Sequence, residues 1–541
     1  LNIAKRLRPE IGSIPLTLIV SAYLLIVTNI TFWSRTAAAF SSNKASLVAF
    51  SAAISLLTIC VLVTLSVRYL IKPVLILCVL VAGTASYFTD TYGIVVDKAM
   101  VESAFVTTGA EAGHLLTPHF LFHILVFAVL PAVMIGLVRV RHRPFLQKAV
   151  RNLALIVPAL GVALTLISYN YAAIAYVARE RKEVLTVFNP AAPLSAAVRY
   201  ARSVYMDVDL VVAPFGIDAR AGDRLTAEKK PVVVVVVAGE TARAANFSLD
   251  GYGRETNPEL KALGVVNFRN TSSCGTATAV SLPCMFSGYR RTEYTETKAH
   301  TRQNLVDVLT HAGISVSWWD NNTGSKGIAK LTDYATKADR QNSPLCKDGE
   351  CLDAIFLDGL DSKLAAVNQD TVIVLHQLGS HGPGYFARYP EEFRRFTPDC
   401  RTDELMNCSP DEIVNAYDNT ILYTDHILAS VAKLLAKHED TVAGAMIYMS
   451  DHGESLGENG IYLHGAPYAI APTEQTHVPF ISWFSPSYSR TMGLDTKCLL
   501  AYSDAAMSHD NLFHTVLGMM NIQTDVYNRE LDAFAPCVAR S

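Results

Sequence analysis

At 541 residues the chain is too long for one ordinary soluble domain, and its 50% hydrophobic and 18% charged content, with a mean hydropathy of +0.25, puts part of it in lipid. A formal net charge of -3 is small for this length, which argues against a polyanion-binding protein. We expect no nucleic-acid partner.

In chain order, segments near 14–34, 46–67, 69–88, 118–138 and 152–177 each reach bilayer-spanning length with few charges, which predicts five transmembrane helices. The first is too long for a signal-peptide core and is followed by four more, so it is expected to stay as an anchor. Lys5, Arg6 and Arg8 precede the first span, Arg68 and Lys72 flank the second connection, and Arg139, Arg141, Arg143, Lys148 and Arg151 crowd the fourth. The other side carries only Arg35, Lys44 and Lys98. Basic loops stay in the cytoplasm, so an odd number of spans places everything after about residue 178 outside it.

Cysteine usage agrees with that placement. Cys60 and Cys78 fall in expected spans, whereas Cys274, Cys284, Cys346, Cys351, Cys400, Cys408, Cys498 and Cys537 all fall in the exported part, an even set suited to an oxidising compartment. The close spacings suggest pairing of Cys274 with Cys284, Cys346 with Cys351 and Cys400 with Cys408, leaving Cys498 for Cys537, although spacing alone does not fix connectivity.

The connection from about 89 to 117 mixes apolar with acidic residues, lies on the outer face and is long for a loop between spans, a length often found in functional loops. The stretch 179–230 reads as a membrane-surface helix followed by a polar linker, or as a plain tether. From Pro231 the pattern becomes α/β. Val232–Val237 running into Ala238, Gly239 and Glu240 reads as a central parallel strand buried on both faces. Strand-like ISVSWWD, TVIVLHQLG and GAMIYMSDHG alternate with helical NLVDVLTHAG and EIVNAYDNTILYTDHILASVAKLLAKH, so the expected fold is a mostly parallel sheet with helices on both faces.

Ligands of open α/β sheets bind beyond the carboxyl ends of the strands. Three expected strands end there in metal-type ligands: Glu240, then His376 with His381, then Asp451 with His452. A lone residue of this kind is usually a structural cap, but the conjunction points to a site. Carboxylate and imidazole without thiolate suit zinc or another first-row divalent ion. SCGTATAVSLPCMFS supplies hydroxyl nucleophiles at Ser273, Thr276, Thr278 and Ser281, on a turn entering a short helix whose free N–H groups suit a phosphate. Composition does not choose among the four.

The segments VVAGETAR, SCGTATAVSLPCMFS, WDNNTGSKG, HQLGSHGP and SDHGESLGENGIYLHG, arriving in this order after five spans, resemble the lipid A phosphoethanolamine transferases, a family that includes the mobile colistin-resistance enzymes. The resemblance implies an N-terminal five-helix transmembrane domain over 1–178, an interfacial helix and linker over 179–230, and an alkaline phosphatase-like (sulfatase-like) periplasmic domain over 231–541. It implies zinc held by Glu240, Thr278, Asp451 and His452, with a second zinc possible, and phosphoethanolamine carried covalently on Thr278. It also implies that His381 and His464 contact the transferred phosphoryl group or a second zinc, that Asn322 and Lys326 hold the phosphate, and that Glu111 meets the amine.

Ser103 stands where relatives commonly have asparagine, which weakens the assignment of Glu111. The implied donor is phosphatidylethanolamine and the acceptor lipid A, in the bacterial inner membrane among its lipids, with polymyxin resistance as the consequence and a monomer as the expected state. The alternative is a related membrane-anchored phosphoethanolamine or phosphoglycerol transferase acting on another envelope acceptor.

Overall fold

The computed structural model describes residues 9–41, 43–107, 109–207, 212–227, 230–330, 332–336, 343–347 and 349–539; Lys5, Arg6 and Arg8 of the orientation count lie outside them. The chain forms two compact units, one from the segments up to Val101 and Leu116–Ala201, the other from Glu102–Leu115 and Arg202 onward. The segment 102–115 therefore packs with the second unit although its sequence lies between two apolar helices.

In the first unit, Lys44–Thr64, Ile71–Tyr92, Pro118–Leu137 and Phe145–Tyr169 are each long and apolar enough to cross a bilayer. The expected first span is a bent pair, Ser13–Val27 and Ile30–Ala39, at 64° to each other, and makes five if counted as one span. The last span differs from its expected limits. It starts at Phe145, and Asn170 closes it before a separate helix Tyr171–Glu180. One turn of Pro118–Leu137, Leu125–Val129, is a π-helix, and the Tyr23 hydroxyl donates to the Phe127 carbonyl there at 2.7 Å. Gly83 lies against that same carbonyl, where a Cβ would sit 2.3 Å from the oxygen, so only glycine lets the two helices approach so closely.

The second unit is built on a seven-stranded sheet ordered Val266–Phe268, Phe480–Phe484, Ala443–Ser450, Val232–Gly239, Thr371–His376, Ser315–Asp320 and Asp333–Thr336. The last five run parallel, and Phe480–Phe484 is antiparallel to both of its neighbours. The valine strand sits at the centre, with Val232–Val237 at most 2% exposed, because β-branched side chains fill both faces of a covered sheet. Each such burial contributes about 1.5–3 kcal/mol. The long helix Pro410–Lys437 starts on a reciprocal cap, in which Ser409 accepts from the Glu412 N–H and Glu412 reaches back to Ser409.

Where the sequence suggests a polar linker, residues 212–227 are part of this unit. Arg220–Ala221 pairs with Ile522–Gln523, and Ala219 and Leu225 join the main core with Phe215 against it. Burying these apolar groups is what draws the segment down. Before it, Ala191–Asp207 forms a helix. All four disulfides suggested by spacing are present, and Cys60 and Cys78 are free and buried.

Candidate active site

Parallel packing brings the carboxyl ends of Val232–Gly239 and Ala443–Ser450 side by side, with Ser450 opposite Gly239 in register. The next residues, Glu240, Asp451 and His452, therefore converge, and their ligand atoms lie within 4.8 Å of one another, fully buried. Two glycines make room. At Gly453 a Cβ would sit 2.0 Å from the Glu474 carbonyl oxygen, and at Gly379, with φ +55°, 2.5 Å from the Glu240 carbonyl oxygen.

Of the four hydroxyl candidates, the structure brings Thr278 to this cluster. It opens the helix Thr278–Ser287, and its Oγ1 donates to Glu240 Oε2 at 2.9 Å and lies 3.4 Å from His452 Nε2. The preceding residue, Ala277, offers no side-chain cap and its carbonyl takes the Val280 N–H, so the N–H groups of Thr278 and Ala279 are left for another acceptor. The other three point elsewhere: Ser273 donates to the Gly275 carbonyl, Thr276 to the Ala466 carbonyl, and Ser281 is buried with no hydrogen-bond partner for its hydroxyl.

The electrostatics of the cluster call for a cation. Burial opposes charge on Glu240, yet the hydrogen bond from His452 and the imidazoles around it hold its carboxyl well below the usual range. Burial and the adjacent Glu240 charge push Asp451 up to about 6. Burial would lower His452, but Asp451 and Glu240 outweigh it and raise the imidazole to about 10. The two buried carboxylates thus hold a proton on the His452 imidazole, which a divalent ion would displace. Asp451 Oδ2 is buried without a hydrogen-bond partner, and His452 Nδ1 donates to the Gly453 carbonyl at 2.9 Å, so Nε2 is the nitrogen that would turn its lone pair to an ion once its proton is displaced. One imidazole nitrogen with carboxylate and hydroxyl oxygens fits zinc.

Around the cluster, Asn322 donates to Glu240 Oε2 at 2.7 Å and to the Gln377 carbonyl at 2.8 Å. Asp320 shapes that turn by accepting from the Asn322 and Gly324 N–H groups. Lys326, at φ +49°, places its amino group on the Thr323 carbonyl and hydroxyl. The His464 ring lies 4.4 Å from that of His452, and the His381 ring 5.5 Å from that of His464. His376 is a fully buried partner of Asp320 at 2.9 Å, raised above its usual value by that carboxylate against the opposing effect of burial. Ser103 lies on the helix Lys98–Val106, where its carbonyl accepts from Thr107. Glu111 lies on Gly109–Leu115, with its side chain outside the described residues.

Sequence reasoning missed Glu454. It is fully buried and accepts from the Tyr385 hydroxyl at 2.6 Å and from His464 Nδ1 at 2.8 Å, fixing which nitrogen of His464 faces the site. Its position three residues after Asp451 in SDHGESLG was the available signal.

The α/β domain that carries this cluster at its strand ends is of the sulfatase class, since the Sulfatase family pattern matches residues 232–522. Here that class of domain is joined to membrane-spanning helices, and residues 53–205 match the family described as Phosphoethanolamine transferase EptA/EptB. The chain is 36% identical to Phosphoethanolamine transferase EptA of Salmonella typhimurium, covering 98% of each chain. It is 37% identical to Phosphatidylethanolamine transferase Mcr-1 of Escherichia coli, covering 96% of each. The solved integral membrane lipooligosaccharide phosphoethanolamine transferase A of Neisseria meningitidis superposes with a TM-score of 0.94 at 35% identity, over 98% of this chain and 100% of that one. The chain belongs to the phosphoethanolamine transferase family of the EptA and Mcr type.

Proposed function

We propose that this protein moves phosphoethanolamine from phosphatidylethanolamine to a phosphate of lipid A through a covalent intermediate on Thr278, at the outer face of the bacterial inner membrane with residues 231–541 in the periplasm. The observation that carries the reading is the convergence of the Thr278 hydroxyl with Glu240 and His452 at a helix start that has no side-chain cap.

Zinc held by Glu240, Thr278, Asp451 and His452 would lower the pKa of the threonine hydroxyl, as a bound water falls from about 16 to about 7. Thr278 Oγ1 attacks the phosphorus of the donor, and the bond from phosphorus to the diacylglycerol oxygen breaks. The Thr278 hydroxyl proton is released to water as the new bond forms, and His464, oriented by Glu454, delivers its own ring proton to the diacylglycerol oxygen and regains one from water, with His381 beside it. The first N–H groups of Thr278–Ser287 and Lys326 stabilise the phosphoryl oxygens, while Asn322 keeps Glu240 aimed at Thr278. A lipid A phosphate oxygen then displaces Thr278, which recovers its hydroxyl. Glu111 and Ser103 of the outer loop meet the ethanolamine.

Capping a lipid A phosphate adds a cation and removes part of its negative charge, which weakens attraction for polycationic peptides and leads to polymyxin resistance. Mass spectrometry of lipid A from cells with and without the gene tests the proposal. A phosphoethanolamine adduct that appears with the wild-type gene and not with Thr278→Ala supports it. The same adduct on another envelope glycan, with lipid A unmodified, overturns the acceptor.

A further inference from the structure

The outer-loop helix Gly109–Leu115 is gripped at its last turn by a socket that the chemistry above does not use. His114 Nδ1 lies 2.8 Å from Asp403 Oδ1, and its Nε2 lies 3.1 Å from Glu350 Oε2, so both ring nitrogens face carboxylates. An imidazole with two carboxylate acceptors satisfies both only as the cation. Each carboxylate stands on a disulfide-closed element. Glu350 is in the hairpin joined by Cys346–Cys351, and Asp403 lies inside the loop joined by Cys400–Cys408. Short covalent loops of this kind present fixed carboxylates, at little further cost in chain entropy.

The socket continues to the candidate active site. Arg388 pairs with both oxygens of Glu350 and donates through Nε to the His381 carbonyl at 2.9 Å. Tyr385, in the same turn, donates to Glu454, which holds His464. Gly384 borders the seat itself, for a Cβ there would lie 2.6 Å from Asp403 Oδ1 and 3.2 Å from His114 Nδ1.

We propose that His114 is a positioning residue whose imidazolium, held between Asp403 and Glu350, docks the outer-loop helix on the segment 381–388 and so sets the affinity for the phospholipid donor. The inference rests on the functional reading that this helix, through Glu111 one turn before His114, meets the donor head group. The charged groups facing the ring are Asp403 and Glu350, with Arg388 behind Glu350. Hydrogen bonds to Asp403 and Glu350 raise His114 to about 9 against the effect of burial. Burial works against the Glu350 charge, but His114 and Arg388 hold its carboxyl down at about 2. The folded-state value of His114 is the raised one, so the clamp is complete at neutral pH and is lost as pH rises through about 9.

The test uses the full-length enzyme in vesicles containing phosphatidylethanolamine, with transfer kinetics from neutral pH to about pH 10, and hydrogen exchange of residues 109–115 as a readout independent of donor. If His114→Ala leaves the helix docked about a tenth of the time, KM for the donor rises about tenfold with kcat nearly unchanged, and exchange in 109–115 accelerates. His114→Lys, a cation that does not titrate at pH 9, keeps KM flat where that of the wild type climbs. Gly384→Ala, at a backbone angle alanine tolerates (φ -80°), reproduces the alanine phenotype by pushing Asp403 away. Wild-type KM and exchange in His114→Ala overturn the inference, as does a loss confined to kcat or a pH dependence of KM shared by the wild type and His114→Lys. Faster exchange in His114→Ala, together with no transfer from phosphatidylethanolamine by the wild type, overturns the functional reading instead and leaves the clamp standing.

Discussion

Glu454→Gln isolates the orientation of His464 from metal binding. The substitution preserves side-chain shape in a fully buried site but replaces an acceptor-only carboxylate with an amide that has one acceptor end and one donor end. Two donors point at Glu454 in the wild type, the Tyr385 hydroxyl at 2.6 Å and His464 Nδ1–H at 2.8 Å. The amide can satisfy only one of them. If its NH2 faces His464, the ring can no longer donate through Nδ1 and loses the orientation from which Nε2 delivers a proton to the leaving oxygen. A hydrogen bond to a charged group is worth about 1.5–3 kcal/mol, which corresponds to about 10- to 100-fold in rate when the loss falls in the transition state. Tyr385→Phe, which removes one hydroxyl and leaves the carboxylate, costs about 1 kcal/mol, or about fivefold. The assay is transfer from phosphatidylethanolamine by each full-length variant, with zinc content and melting temperature measured alongside. Zinc content is expected to stay at the wild-type level, because Glu454 is not among the three clustered ligands. A Glu454→Gln enzyme with unaltered kcat and an intact fold would refute the role of His464 as proton donor.

Thr278→Ala abolishes transfer while the protein stays folded, and Thr278→Ser keeps part of the activity; a phosphoethanolamine adduct on residue 278, trapped and sequenced by mass spectrometry, appears only when a hydroxyl is present. Alkylation of the denatured, unreduced protein labels Cys60 and Cys78 alone, and the other eight cysteines react only after reduction; two or more free thiols among those eight would refute the pairing. Gly83→Val forces a Cβ to within 2.3 Å of the Phe127 carbonyl oxygen, so it lowers stability in detergent by about 1–3 kcal/mol in a thermal melt. Zinc content is unaffected, since Gly83 belongs to the other compact unit.

Much of this protein is legible along the chain because the physics is local. A bilayer demands about 20 apolar residues in a row, and a doubly covered parallel strand demands an unbroken β-branched run, so the spans and Val232–Val237 announce themselves. The metal-type ligands were readable for a related reason: residues just beyond the ends of parallel strands must share one edge of the sheet, whatever the connections between them. Composition did not separate Thr278 from Ser273, Thr276 and Ser281; resemblance and then geometry did. The bend in the first span and the break at Asn170 escaped the hydropathy pattern, which records length and polarity but not backbone direction.

What only the tertiary structure decided are the pairings between distant segments. His114 meets Asp403 and Glu350 across 289 and 236 positions, and Asp320 meets His376 across 56. Nothing in the neighbourhood of any of these residues marks its partner, because a hydrogen bond costs the sequence only one suitable side chain at each end and imposes no periodicity. The segment 212–227 shows the same limit from the apolar side. Its few buried residues are too sparse to read as core until the sheet edge that receives them has been built.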